Sequence, residues 1–233
     1  MNPLILALDT NESEVAEKWI EATASVIPTF KVGLEFFLAF GNAGLERLRR
    51  VADFDLFLDL KLHDIPNTVE SAVKVVSHHE PKFLTVHAAG GAEMIERAAA
   101  VNSKIGITAV TVLTSLTQEE LPRLGFTGSA TDIACLMAKN AVAAGAKAIV
   151  SSPMEVSALR EVVGSAAIIT PGVRPAGSAM GDQKRVMTPA DAIAAGSTHL
   201  VIGRPITSLY VSGSDASLNA MREKAQEIAD SLK

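Results

Sequence analysis

Short apolar runs alternate along this chain with longer stretches in which apolar residues recur every three to four positions. The short runs are 4–8, 29–32, 54–61, 83–87, 106–112, 148–151, 167–170 and 200–203. Their length and their Val, Ile, Leu and Phe content predict strands buried on both faces. The stretches between them predict amphipathic helices over 12–25, 43–51, 68–79, 92–100, 131–144, 154–163 and 189–195, with a last one over 217–232. Strand and helix alternating in this way imply a parallel α/β architecture. Eight of each favour a closed (β/α)8 TIM barrel over an open doubly wound sheet. No low-complexity linker interrupts the pattern, so residues 1–233 are expected to form a single barrel domain. The longest irregular stretch runs from Pro171 to Thr188, after the seventh strand, where barrel enzymes often bind phosphate.

Composition narrows the class. Hydrophobic residues make up 48% of the chain and aromatics only 4%, so aliphatic side chains must carry the packing. The formal net charge is −5, with no long basic block, and the few aromatic residues are not interleaved with Lys and Arg. A nucleic-acid surface is therefore not expected. The one cysteine, Cys135, permits no intrachain disulfide and sits among Ala134, Leu136 and Met137, which reads as a buried, inert thiol. The opening residues lack a basic leader and are interrupted by Asp9, so they read as a strand rather than a signal peptide. No apolar run approaches membrane-spanning length. A soluble, cytoplasmic protein without a membrane partner is the expectation.

The candidate chemistry lies at the carboxyl ends of the predicted strands, where barrel active sites are built. Phe57-Leu58-Asp59-Leu60-Lys61-Leu62-His63-Asp64 is the densest stretch. Strand alternation puts Asp59 and Lys61 on one face and Leu58, Leu60 and Leu62 on the other. Asp64 follows where Pro66 and Asn67 mark a turn and a helix start. Alone, Asp-x-Lys reads equally as a structural ion pair at a strand end. The other strand ends contribute Asp9, Lys31, His87, Thr111, Thr114, Ser115, Ser151, Ser152, Arg174, Gln183, Lys184, Gly203 and Arg204. Polar groups at nearly every end read as one site. Gly203-Arg204 has the form of half a phosphate grip, glycine allowing close backbone approach and arginine supplying a planar fork of donors.

The five histidines show no metal-ligand spacing, and His78-His79 are expected to diverge on a helix as a solvated pair. There is no Gly-x-Gly-x-x-Gly fingerprint, no Walker-type phosphate loop and no His-Glu-x-x-His. Nucleotide cofactors and catalytic zinc are therefore not expected.

Asp59-x-Lys61-x-x-Asp64 followed by Ile65-Pro66-Asn67-Thr68 resembles the signature of the orotidine 5'-phosphate decarboxylase family. The resemblance continues through Leu8-Asp9, Phe30-Lys31-Val32-Gly33, Val110 to Ser115, Pro171 to Pro175, Asp182-Gln183 and Ile202-Gly203-Arg204-Pro205. It implies a (β/α)8 homodimer that converts orotidine 5'-monophosphate to uridine 5'-monophosphate in pyrimidine biosynthesis, without metal or other cofactor. By the same resemblance Lys61 protonates carbon 6 within a charge array of Lys31, Asp59, Lys61 and Asp64. Asp64 and Thr68 come from the partner subunit. Asp9 and Lys31 hold the ribose, Thr114 the base, and Gln183, Gly203 and Arg204 the phosphate, assisted by Arg174. Two rivals remain: a related magnesium-dependent sugar-phosphate enzyme, which would carry an acid where Lys31 stands, and a non-catalytic phosphosugar-binding barrel.

Overall fold

The computed structural model describes residues 2–174 and 187–232. Among the described residues there are eight strands: β1 (Leu4–Ala7), β2 (Thr29–Gly33), β3 (Asp55–Leu62), β4 (Phe83–His87), β5 (Gly106–Val110), β6 (Ala148–Val150), β7 (Ala167–Pro171) and β8 (His199–Ile202). Each is parallel to its neighbours, and β8 pairs with β1, which closes the barrel. The helices are α1 (Ser13–Thr23), α2 (Leu34–Arg49), α3 (Pro66–Val76), α4 (Ala92–Val101), α5 (Ala130–Ala143), α6 (Val156–Val163), α7 (Pro189–Ala194), α8 (Arg204–Thr207) and α9 (Asp215–Asp230).

Alternation along the strands splits the apolar residues into two packed sets. Leu4, Leu6, Phe30, Val32, Leu58 and Leu84 belong to the large core that also contains helix residues such as Ile20, Leu45, Val73 and Ile228. Ile5, Ala7, Phe57, Phe83, Ile169 and Val201, at the intervening positions, form a smaller separate cluster within the strands. Two-sided burial of this kind explains why the strands read as nearly continuous apolar runs. Toward the amino ends of the strands, Phe83 stacks edge-on against both Phe57 and His199, at centroid distances of 5.8 and 5.2 Å. These rings form a packed floor beneath the carboxyl-terminal mouth.

Several expectations are corrected. The helix expected over 43–51 begins much earlier, at Leu34, and is broken at Gly41, where φ is +56°. From Leu34 to Phe40 only Glu35 is polar, so the stretch shows no clear helical period, although Phe36 is fully buried and Leu38 is 78% exposed. The short helix α8 directly follows β8 and was not anticipated. β5 ends at Val110, and the connection from Thr111 to Ser129 holds one short 3-10 turn, at Pro122–Leu124. Val112 and Leu121 pin it against Ile133 and Ala134 of α5. His78 and His79 do not diverge. They lie in a 3-10 turn that follows α3, with ring centroids 3.8 Å apart. Cys135 is half-buried rather than buried, and burial pushes its thiol pKa up.

Candidate active site

The mouth of the barrel contains a cavity of about 200 Å³ into which β2, β3, β5, β6, β7 and β8 all contribute. Lys31, Asp59, Lys61, Thr114 and Ser151 supply its polar lining, and Phe57, Val110, Val150, Pro171 and Val201 its apolar walls. Residues separated by more than a hundred positions are thus brought together by strand order alone.

Its charged side is a ladder. Lys31 Nζ donates to Asp9 Oδ1 at 2.9 Å and lies 3.6 Å from Asp59 Oδ2. Lys61 Nζ donates to both Asp59 oxygens at 2.9 Å. The order across the mouth is therefore Asp9, Lys31, Asp59, Lys61. Burial pulls the Lys31 ammonium pKa down, but the Asp9 and Asp59 carboxylates outweigh it and hold the group above the usual lysine value. Burial likewise pushes Asp59 up, and Lys31 and Lys61, with hydrogen bonds from Lys61 and Thr85, hold it below the usual carboxylate range. Burying charges at such proximity is tolerable only because each is paired with its opposite. Both partners stay ionised at neutral pH.

Asp64 stands apart from this ladder within its own chain. Its side chain is exposed, Oδ1 accepts from the Ile65 N–H at 2.7 Å, and among the described residues no cation lies within ion-pair distance of it. Thr68 is exposed on the first turn of α3, a helix that starts with Pro66 in its favoured position. Beside them Ile65 is 66% exposed.

On the opposite side, Gly203 caps α8 and Arg204 is exposed at its first position. Arg174 is half-buried at the end of the described part of the loop after β7, and donates to the Val173 carbonyl at 2.9 Å. Gln183 and Lys184 lie outside the described residues. His87 sits at the end of β4, its ring 5.3 Å from that of His63, and burial followed by the charges of His63 and Lys61 lowers its pKa. Among the described residues no group of His, Cys, Asp and Glu is arranged to hold a metal ion.

Two supporting residues were not singled out by sequence reasoning. Glu155 is fully buried, and its Oε2 accepts from the Ser151 hydroxyl at 2.7 Å and from the Ser152 N–H at 3.1 Å, while Thr111 donates to Ser151 Oγ at 3.2 Å. Its signal was available as the spacing Ser152-x-x-Glu155, a capping box. Thr85 is fully buried on β4 and bonds both to the backbone of Lys61 and to the carboxylate of Asp59. A single polar residue inside Phe83-Leu84-Thr85-Val86 was its only trace.

A closed parallel barrel with an alternating lysine–carboxylate ladder at its carboxyl-terminal mouth defines a (β/α)8-barrel enzyme. Comparison with known proteins specifies which kind. The sequence model of the "Orotidine 5'-phosphate decarboxylase / HUMPS family" matches residues 2–210, and the chain belongs to that family. It is 51% identical over 206 residues to an orotidine 5'-phosphate decarboxylase of Thermobifida fusca, covering 88% of each chain. A protein of the same name from Sphingopyxis alaskensis is 44% identical over 88% of this chain and 92% of that one. Among solved structures, an orotidine 5'-phosphate decarboxylase from Lactobacillus acidophilus superimposes with a TM-score of 0.78 at 32% identity, covering 97% of this chain and 99% of the other.

Proposed function

We propose that this chain decarboxylates orotidine 5'-monophosphate to uridine 5'-monophosphate, a reaction of pyrimidine biosynthesis, with Lys61 as the proton donor to carbon 6 and with no cofactor. The observation that carries the reading is the Lys31–Asp59–Lys61 ladder facing a cavity with apolar walls. Loss of carbon dioxide leaves an electron pair on carbon 6. An ammonium fixed beside that carbon stabilises the developing charge and then transfers a proton to it, forming the new C–H bond. Asp59 holds Lys61 in place and lies next to the position of the departing carboxylate. Family membership supplies the substrate, and the ladder supplies the groups its chemistry needs.

The remaining roles follow the family pattern. Asp9 and Lys31 hold the ribose, Thr114 the base, and Gly203, Arg204 and Gln183 the phosphate, with Arg174 closing over it. Phosphate binding far from the reacting bond lowers the barrier by driving water out of the mouth. The enzyme works as a homodimer in which Asp64 and Thr68 complete the partner's site. The exposure of both residues and of Ile65 between them supports a second copy at this rim. Residues 1–233 act as one catalytic domain in the cytoplasm, and among the described residues no helix is long and apolar enough to cross a membrane.

The magnesium-dependent branch of the family is disfavoured by charge. Lys31 places an ammonium 3.6 Å from the one carboxylate, Asp59, that a divalent cation would share, which both repels the cation and removes an oxygen ligand. The assignment of Lys61 is tested by Lys61→Ala. Turnover is expected to fall by at least about 10⁴-fold, the combined scale of lost general-acid and electrostatic catalysis. Affinity for uridine monophosphate should stay within about tenfold, since phosphate binding is untouched. A variant with near-normal turnover would sink the assignment.

A further inference from the structure

β3 and β4 fall out of register at the reacting pair. Leu58 faces Leu84 and Leu62 faces Val86, so the three residues Asp59, Leu60 and Lys61 face the single residue Thr85. Lys61 takes up the extra length with φ of +50°, a left-handed conformation uncommon for a side chain of this kind. Bulges of this sort re-aim a side chain, and they leave ladder groups without a backbone partner. The Lys61 N–H is one such group.

We propose that Thr85 is a positioning residue for the decarboxylation, a clamp whose hydroxyl holds both the left-handed backbone of Lys61 and the carboxylate of Asp59. The inference rests on the reading of Lys61 and Asp59 as the reacting pair. The Lys61 N–H donates to Thr85 Oγ1 at 2.8 Å, and Thr85 Oγ1 donates to Asp59 Oδ1 at 3.0 Å. The roles cannot be exchanged. A backbone N–H only donates and an ionised carboxylate only accepts, so the one hydroxyl proton must point at Asp59. One fully buried atom group on the neighbouring strand therefore substitutes for the missing ladder acceptor and orients the carboxylate that grips Lys61 Nζ. Neither job can be done by an apolar side chain of the same shape.

Thr85 sits behind the pair and not among the residues that line the cavity. Its loss should disturb the alignment of Lys61 with carbon 6 more than it disturbs binding.

The test compares wild type with Thr85→Val and Thr85→Ser in steady-state turnover of orotidine monophosphate, together with hydrogen exchange at the Lys61 amide in the substrate-free protein. Thr85→Val is expected to lower kcat about tenfold to hundredfold, the scale of one hydrogen bond to a charged group. Its KM should stay within about threefold, and the Lys61 amide should lose protection. Thr85→Ser, which keeps the hydroxyl, should restore most of kcat and the amide protection. Wild-type kcat in the valine variant would overturn the proposal. Equal impairment of both variants would also overturn it, showing that the methyl packing matters and the hydroxyl does not. A folded wild-type chain inert toward orotidine monophosphate would defeat the functional reading instead, and the amide comparison would still decide whether Thr85 clamps Lys61.

Discussion

Strand β3 carries an ion pair at each of its ends, and the two are built differently. At the amino end Asp55 meets Lys82 Nζ at 2.6 Å, one acid with one base, with side chains 46% and 31% exposed. At the carboxyl end, four residues on, Asp59 is shared by Lys31 and Lys61 and is only 14% exposed. The strand is in regular register up to Leu58 and bulged beyond it. A pair at a strand end that serves stability alone needs neither a second lysine nor a left-handed backbone, as Asp55–Lys82 demonstrates within the same strand. Crowding two ammonium groups onto one buried carboxylate stores unfavourable desolvation that the fold must offset elsewhere. The excess over the plain pair is what singles out the mouth as the proposed place of reaction.

Removing the carboxylate at each end sharpens the contrast most. Asp59→Asn should lower turnover by about 10²- to 10³-fold, because Lys61 loses its anchor. It should also destabilise the protein by about 3 kcal/mol, since Lys31 and Lys61 are left facing each other with their shared partner gone. Thermal and urea unfolding beside activity measure both. Asp55→Asn is expected to change stability by less than about 1 kcal/mol and turnover hardly at all. If the two substitutions proved equivalent, the distinction between the ends would be lost.

The floor makes a smaller and pH-dependent contribution. His199 at the start of β8 packs against Phe83, and burial, reinforced by Lys82, pushes its pKa down to about 4. The unfolded chain binds this proton near the ordinary histidine value, so between about pH 6.5 and 4 it holds more protons than the native state. Stability from His199 is thus complete above about pH 6.5 and is lost as pH falls toward 4. His87, lowered in the same direction, adds to the slope. With screening by the solvent that reaches the ring, the His199 share is about 2 kcal/mol. Urea unfolding of His199→Gln across this range should show a flatter acid limb than wild type. An identical limb would contradict the assignment.

How much of this was legible in the sequence depends on whether a feature is local. The eight strands were, since short runs such as Phe83-Leu84-Thr85-Val86 bury both faces and carry few polar residues. Asp59 and Lys61 were too, because a period of two places them on one side, and the structure joins them at 2.9 Å. The bulge was not, because register is a property of two strands and Thr85 lies 24 positions from Lys61. The first half of α2 was missed because Glu35 is the one polar residue from Leu34 to Phe40, and the helix breaks at Gly41 before any period can build. His78 and His79 were misread because a 3-10 turn cannot be told from a helix end by spacing. The proposed phosphate side rests on Gly203 and Arg204 after β8, while Gln183, expected to hold the same phosphate, lies outside the described residues.

The most direct measurement is the ultraviolet absorbance of orotidine 5'-monophosphate mixed with the purified, EDTA-treated protein. Full conversion to uridine monophosphate, at a rate unchanged by added magnesium, is the expected result. No conversion by demonstrably folded protein, or conversion only once magnesium is restored, would contradict the account.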